Sequence, residues 1–439
     1  MSIIVKSAAL KATALAGAFV LLTAAGPLPD LTPAQNHAAI EEIAKLVAKD
    51  YVFPEKRDAI VSQLRAREKE GRYTIANPGL FAQTVSEDMV AFSHDKHMWF
   101  QLDPEGYKAA LLPPDDTQAE AYFEALAART NQGYDEMRIL PGNVRYVNLA
   151  SFAWSKKETP AVVADVARFL KGADAIIFDI SGNGGGAAEA VRAIVSYFLP
   201  PDGRTLVTFH DGVTGKDDVS KVEPTLAGPR LTGIPLYVLT SHSTGSAAEE
   251  FAYHVKHFKL GTLIGTTTAG AANNDSIFPV APFFLQSIST GRPEHGLTHS
   301  NWEGVGVAPD VEIDPANARD TAYAMALKSL LAAGREEHRN EYDWALAGVE
   351  TRLHPFAIKA DALAAYAGQY GTRKVWVDGG KLMYQRQDRD PTELKPMAVD
   401  LFGFANSDEV RARFRREGGK ITGFDLLTAD GQVIPNPRT

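Results

Sequence analysis

The sequence predicts an α/β protein, with a helical subdomain before the α/β core and a small mainly-β domain after it. Three observations lead there. From about Gly142 to Gly334, short apolar runs suited to buried strands (ADAIIFDI, IPLYVLTS, GTLIGTTT) alternate with amphipathic helix patterns (TPAVVADVARFL, AAEAVRAIVSYFL, SAAEEFAYHVKHF). Ahead of this core, LTPAQNHAAIEEIAKLVAKDYVF sets Ile40, Ile43, Leu46 and Val47 on one helical face, and Pro54 stops the pattern. Beyond Ala357, β-like segments are separated by DGG, EGG and ADG, which are hairpin signals.

Taken in chain order, residues 1–25 have the layout of a signal peptide: Lys6 and Lys11, an apolar stretch, then small residues through Ala25. The competing reading is an N-terminal membrane anchor, but the apolar core is shorter than the roughly 20 residues a spanning helix needs. With no cysteine in the chain, a lipid-modified cysteine, a disulfide framework and a cysteine nucleophile are all excluded. The expectation is a periplasmic or secreted protein with no stable membrane insertion after cleavage. Residues 26–135 form the helical subdomain and its connection. In it a charged amphipathic helix covers 56–70, and a third helix from Pro78 to Phe92 buries Phe81, Val85, Met89 and Phe92. Residues 136–335 form the α/β core, within which Pro279 to Pro309 reads as long loops with short strands. A helical linker over 336–356 precedes the β-rich domain, 357–439. The net charge of −9 and the lack of a long basic patch argue against nucleic acid as a partner.

Four places carry candidate chemistry. In TSHSTGSAAEEF, Ser246 stands at a strand-to-helix junction, where the free N–H groups of a helix start favour the negative charge made by attack on a carbonyl. Ser246 and Glu249 equally fit an S-x-x-E capping box, and the stretch lacks the G-x-S-x-G pattern because Thr244 and Ala248 replace its glycines. In GNGGG (Gly182 to Gly186), unobstructed backbone N–H groups suit an oxyanion or phosphate, yet neither nucleotide-binding glycine fingerprint is complete. FSHDKHMWF offers His94 and His97 at a spacing compatible with metal ligation, though equally with surface histidines at a helix end. Glu303, in the Gly-rich loop THSNWEGVGVAPD, is suited to orient a histidine or is a simple loop acid.

In their order along the chain, DYVFPE, HDKH, FDISGNGGG, YVLTSHSTGSAAEEFAY, GTTTAG and NWEGVGVAPDVEI resemble the tail-specific or C-terminal-processing serine peptidases. The likeness is to their tricorn-like branch, which includes the interphotoreceptor retinoid-binding protein repeats. It spans roughly residues 33 to 330 and implies a Clp-protease/crotonase-like spiral core. It also implies Ser246 as nucleophile, His97 as base and Glu303 as its acid. Gly185, Gly186 and Ala247 are implied as oxyanion donors, and Glu249 as a supporting acid. No cofactor or metal is implied, and the substrate would be a peptide or protein. The sequence departs from the family in two ways. Ala271 replaces the lysine of the Ser–Lys members, and Lys96 replaces the serine before the tricorn-branch histidine. Fewer than 50 residues separate His97 from the strand near Val144, too few for the PDZ domain many relatives insert. The likeness to a binding-protein branch also leaves open a catalytically inactive ligand- or peptide-binding protein.

Overall fold

The computed structural model describes residues 28–112 and 116–439, so the signal-peptide expectation for residues 1–25 lies outside the described residues. Among the described residues, no helix is long and apolar enough to cross a membrane. The chain divides into two compact units. One comprises the described residues up to Met137, with Val147–Gly172 and Phe178–Pro315; the other comprises Arg138–Tyr146, Ala173–Ile177 and Ala316–Thr439.

The first unit opens with helices α1 (Pro33–Asp50), α2 (Pro54–Lys69) and α3 (Pro78–Ser93). Thr32 caps α1 with Gln35 in a reciprocal capping box, and Asn77 caps α3 by accepting from Leu80 N–H at 2.9 Å. Strand β1 (Phe100–Leu102) and helices α4 (Pro104–Ala110) and α5 (Asp116–Arg129) follow. The α/β region then runs β2 (Tyr134–Leu140), β3 (Val144–Leu149), α6 (Thr159–Lys171), β4 (Ala175–Asp179), α7 (Ala188–Val195), β5 (Thr205–Asp211) and β6 (Asp217–Lys221). It continues through β7 (Leu236–Thr240), α8 (Ala247–His257), β8 (Thr262–Gly265), β9 (Asn274–Val280), β10 (Phe284–His295) and β11 (Val311–Glu312).

One sheet has six strands in the order β11-β8-β7-β4-β3-β2, and its β11–β8 and β8–β7 pairs are parallel. Strands β4 (AIIFD) and β7 (LYVLT) are buried along their whole length and mainly apolar up to their last residues, Asp179 and Thr240, as strands covered on both faces are. A second, antiparallel sheet follows β1-β10-β5-β6, with β9 also paired to β10. Here the structure departs from the loops expected over 279–309, because β10 is a strand of 12 residues. Its QSISTGRPEH segment lacks apolar alternation, and what holds it extended is pairing with β1, β5 and β9.

The helices α1–α3 close over one face of β9 and β10 in an apolar cluster that also takes in Met98 and Phe100, which follow the H-D-K-H turn. Phe284 lies at its centre, with ring centroids 5.6 Å from Phe81 and 4.8 Å from Phe100. Phe284→Ala is expected to cost about 3–5 kcal/mol by cavity formation, read as a shift in the denaturant midpoint at unchanged slope.

A buried polar group lies behind α8. His254 Nε2 is 3.3 Å from Glu250 Oε1, and the His254 and His295 rings are 5.1 Å apart. Burial pushes both histidines down to about 3, and the neighbouring imidazoles add to the effect at His295. Burial, with a smaller contribution from Glu189, pushes Glu250 up to about 8. From pH 4.5 to 6.5, unfolding takes up protons at two histidines and releases one from Glu250, so stability rises with pH. Above about pH 6.5 only the Glu250 contribution remains, and stability falls as pH approaches 8. These groups therefore favour a stability maximum near pH 6.5. Denaturation of Glu250→Gln should lose the alkaline decline and keep the acid one.

The second unit contains α9 (Pro315–Ala332, all but its first residue), α10 (Arg339–Leu353) and α11 (Ala360–Leu363). Its eight-stranded sheet comprises β12 (Gly368–Tyr370), β13 (Arg373–Asp378), β14 (Lys381–Arg386), β15 (Thr392–Ala398), β16 (Leu401–Phe404), β17 (Ser407–Glu417), β18 (Lys420–Thr428) and β19 (Val433–Pro437). These strands pair in sequence order, and the DGG and EGG turns are two-residue hairpin loops. Gly379, Gly380, Gly418 and Gly419 all have positive φ there, as type I′ turns require. Thr439 N–H donates to Gln369 O at 2.9 Å, bringing the end of the sheet back to its beginning. Tyr366, Tyr370, Phe402, Phe414 and Phe424 fill the interior of this near-barrel.

Candidate active site

Ser246 sits where β7 turns into α8, half-buried, with φ 51° and ψ −122°. An L-residue held there costs about 1–3 kcal/mol, so its surroundings must impose the conformation. Three groups do so. Gly245 N–H donates to Asn183 O at 3.0 Å, Thr244 Oγ1 donates to Ile180 O at 2.9 Å, and Ser246 N–H donates to Glu249 Oε2 at 3.0 Å. The S-x-x-E pair is therefore in contact as capping chemistry predicts. The serine also has the strained turn that G-x-S-x-G normally signals, although that pattern is absent.

The glycine turn lies directly against this serine. A methyl group added at Gly185, where φ is 127°, would stand 2.8 Å from Ser246 Cβ and 3.4 Å from Ala247 N. Only glycine permits that approach. Asn183, fully buried, folds the turn: its Oδ1 accepts from Gly185 N–H at 2.9 Å and its Nδ2 donates to Leu149 O at 2.8 Å. This corrects one expectation. Gly185 N–H, anticipated as an oxyanion donor, is committed to Asn183, because an asparagine two residues earlier closes a local turn on it.

Glu249 does more than cap. Its carboxylate, with the residue 0% exposed, accepts from Thr268 Oγ1 (2.6 Å), Gly270 N–H (2.6 Å) and Ala271 N–H (2.8 Å) besides Ser246 N–H. Burial pushes its pKa up, and these donors pull it back. The loop beginning at Thr268 is thus fastened to the backbone of the serine.

Two residues further on, the same loop is held by a second acid. Glu303 Oε2 accepts from Ala272 N–H (2.6 Å) and Asn273 N–H (3.0 Å), and Trp302 Nε1 donates to Ala271 O at 3.2 Å. Asn273 Nδ2 donates to Asp95 Oδ2 at 2.9 Å, while Asp95 Oδ1 accepts from His97 N–H at 2.9 Å. His97 follows α3, which ends when His94 turns left-handed at φ 55°. His94 itself is exposed and takes no part in this cluster. Ligand-capable atoms of Asp95, His97 and Glu303 all lie within 4.8 Å of one another. His97 Nδ1 and Glu303 Oε1 are both buried without a hydrogen-bond partner. Burial and then the charge of Asp95 push Glu303 up to about 7, opposed by the two backbone donors. Lys96 donates to Ala269 O.

The structure therefore brings His97 and Glu303 together, and Ser246 together with Gly185, Ala247 and Glu249. Among the described residues no hydrogen bond joins Ser246 to His97. Sequence reasoning missed Asn183, Asp95, Thr268 and Asn273. The only signals available were a lone asparagine among glycines and an acid two residues before the histidine.

An α/β fold that presents a serine on a strained turn at a helix start is the layout of serine hydrolases. Residues 143–313 match Peptidase family S41, so this region of the chain is similar to serine-type peptidases. Similar solved structures include a lipoprotein from Streptococcus agalactiae, at 18% identity over 68% of this chain and 98% of that chain, with a TM-score of 0.46. Mature CPAF is similar at 11% identity over 69% and 99%, with a TM-score of 0.49. The tricorn protease is similar at 12% identity over 68% of this chain and 37% of that one, with a TM-score of 0.42.

Proposed function

We propose that the protein is an exported peptidase, periplasmic or secreted, which hydrolyses peptide bonds by acyl transfer through Ser246, His97 and Glu303 on a spiral core of the Clp-protease/crotonase kind. One observation carries the proposal. The loop from Thr268 to Asn273 is gripped at one end by Glu249, bonded to the serine backbone, and at the other by Glu303 and Asp95 beside His97. A single strap thus sets the nucleophile's turn and the histidine's acid in one frame. The leader pattern with Lys6 and Lys11 supports export.

In the cycle, His97 Nε2 takes the Ser246 hydroxyl proton as Oγ adds to the peptide carbonyl. Glu303 Oε1, the oxygen without a partner, accepts from His97 Nδ1–H and holds the tautomer. The N–H groups of Ala247 and Gly186 hold the oxyanion; Gly185 serves by its lack of a side chain. His97 returns its proton to the leaving amine, and water, activated in the same way, releases the acyl group. A catalytic hydrogen bond that is open without substrate and closes on binding is ordinary in such sites.

The test is labelling of the full protein by a fluorophosphonate serine probe. Wild type should label, Ser246→Ala and His97→Ala should not, and Glu303→Ala should label slowly, with folding verified by circular dichroism. Labelling that survives Ser246→Ala would refute the nucleophile. A folded wild type that never labels, with or without peptide, would favour a binding protein.

A further inference from the structure

We propose that Asp95, His97 and Glu303 form a site for one divalent transition-metal cation of the zinc class, and that its binding switches the peptidase off. The catalytic roles account for Glu303 beside His97 but not for a second carboxylate, Asp95, 3.8 Å from the same ring nitrogen. An imidazolium neutralises one of the two carboxylates; a doubly charged cation neutralises both. Imidazole nitrogen with two carboxylates is also a donor set that zinc-class ions favour.

The geometry fits. Asp95 Oδ1 lies 3.8 Å from His97 Nδ1, and the ligand-capable atoms of all three residues are within 4.8 Å of one another. Donors around one Zn²⁺ at roughly 2.0–2.2 Å stand on the order of 3.3–4 Å apart, so closure needs side-chain shifts of under about 1 Å. Two of the three donors carry no hydrogen bond: His97 Nδ1 and Glu303 Oε1 are buried and unpartnered, in a histidine only 7% exposed. The outer support is already built. Asn273 Nδ2 orients Asp95, and Ala272 and Asn273 N–H groups orient Glu303 through Oε2, leaving Oε1 for the ion.

The consequence for activity follows from the tautomer and rests on His97 being the base. A cation on Nδ1 requires that nitrogen's lone pair, so the ring proton resides on Nε2. An Nε2–H cannot accept the serine proton. The displaced Nδ1 proton passes through solvent to Nε2, and any proton on Glu303 is released to water.

Equilibrium dialysis of the full chain against ZnCl₂ tests binding without reference to activity. Wild type and Ser246→Ala should bind one ion per chain that His97→Ala does not bind. Should His97→Ala fail to fold, Asn273→Ala, which removes only the support of Asp95, should weaken that ion by roughly 10–100-fold. No ion bound by wild type, or equal binding by wild type and the folded variants, overturns the site. In parallel, Zn²⁺ should slow fluorophosphonate labelling with a midpoint matching its dissociation constant, and chelation should restore it. Tight binding with undiminished labelling overturns the switch. If the metal-free protein never labels, the peptidase reading fails while dialysis still decides the site.

Discussion

Ser246→Ala and His97→Ala are each expected to lower kcat/KM on a cleavable peptide by about 10⁴–10⁶-fold, and the double variant to be no worse than either. In the proposed mechanism nucleophile and base act as one unit: without the imidazole the hydroxyl stays protonated, and without the hydroxyl the imidazole has nothing to deprotonate. What remains in every variant is the oxyanion pocket and substrate binding, which is why the losses should converge. Asp275 and Lys96 offer no substitute base, since Asp275 accepts the Ser287 hydroxyl and Lys96 is tied to Ala269 O. A double variant whose losses multiply would mean that the two residues work independently, and a His97→Ala variant within tenfold of wild type would remove it as the base.

Glu249→Ala should be the most damaging change outside the proposed triad, in both stability and rate. It orphans donors at Ser246, Thr268, Gly270 and Ala271 around a carboxylate whose residue is fully buried. Each such group costs about 1–3 kcal/mol when left unsatisfied, and with partial relaxation the expected loss is at least about 3 kcal/mol. Glu249→Gln discriminates the roles. It keeps the volume and one acceptor oxygen, so its stability should recover in part. An amide NH₂ facing either pair of donors still leaves the serine turn or the loop unfastened. The rate loss of Glu249→Gln should therefore appear in kcat and not in KM. A Gln variant that regains full kcat would reduce Glu249 to a helix cap.

The candidate site was partly legible in the chain. Ser246 and Glu249 announce themselves by spacing, and the glycine turn by composition. His97 and Glu303 are candidates from their local setting, but their roles as base and acid come only through the resemblance, because an acid in a glycine-rich loop and a histidine after a helix equally fit surface residues. Asp95 stands two residues from His97, yet nothing local shows that it turns inward to meet Asn273, 178 residues away. Likewise, the twelve-residue strand β10 looks like loop in sequence, because partners on both sides supply the order that its own side chains do not.

The sequence by itself determined the succession of helical, α/β and mainly-β segments, the hairpin turns of the C-terminal sheet, and a serine at a helix start. Those features follow from periodicity, capping and backbone preference over a few residues. Only the tertiary structure decided that Ser246 is strained, that Gly185 N–H is spent on Asn183, and that one short loop fastens Glu249 to Glu303. Those outcomes depend on which backbone N–H groups a buried carboxylate meets. That is set by loops brought together from distant parts of the chain, where every buried donor must find an acceptor.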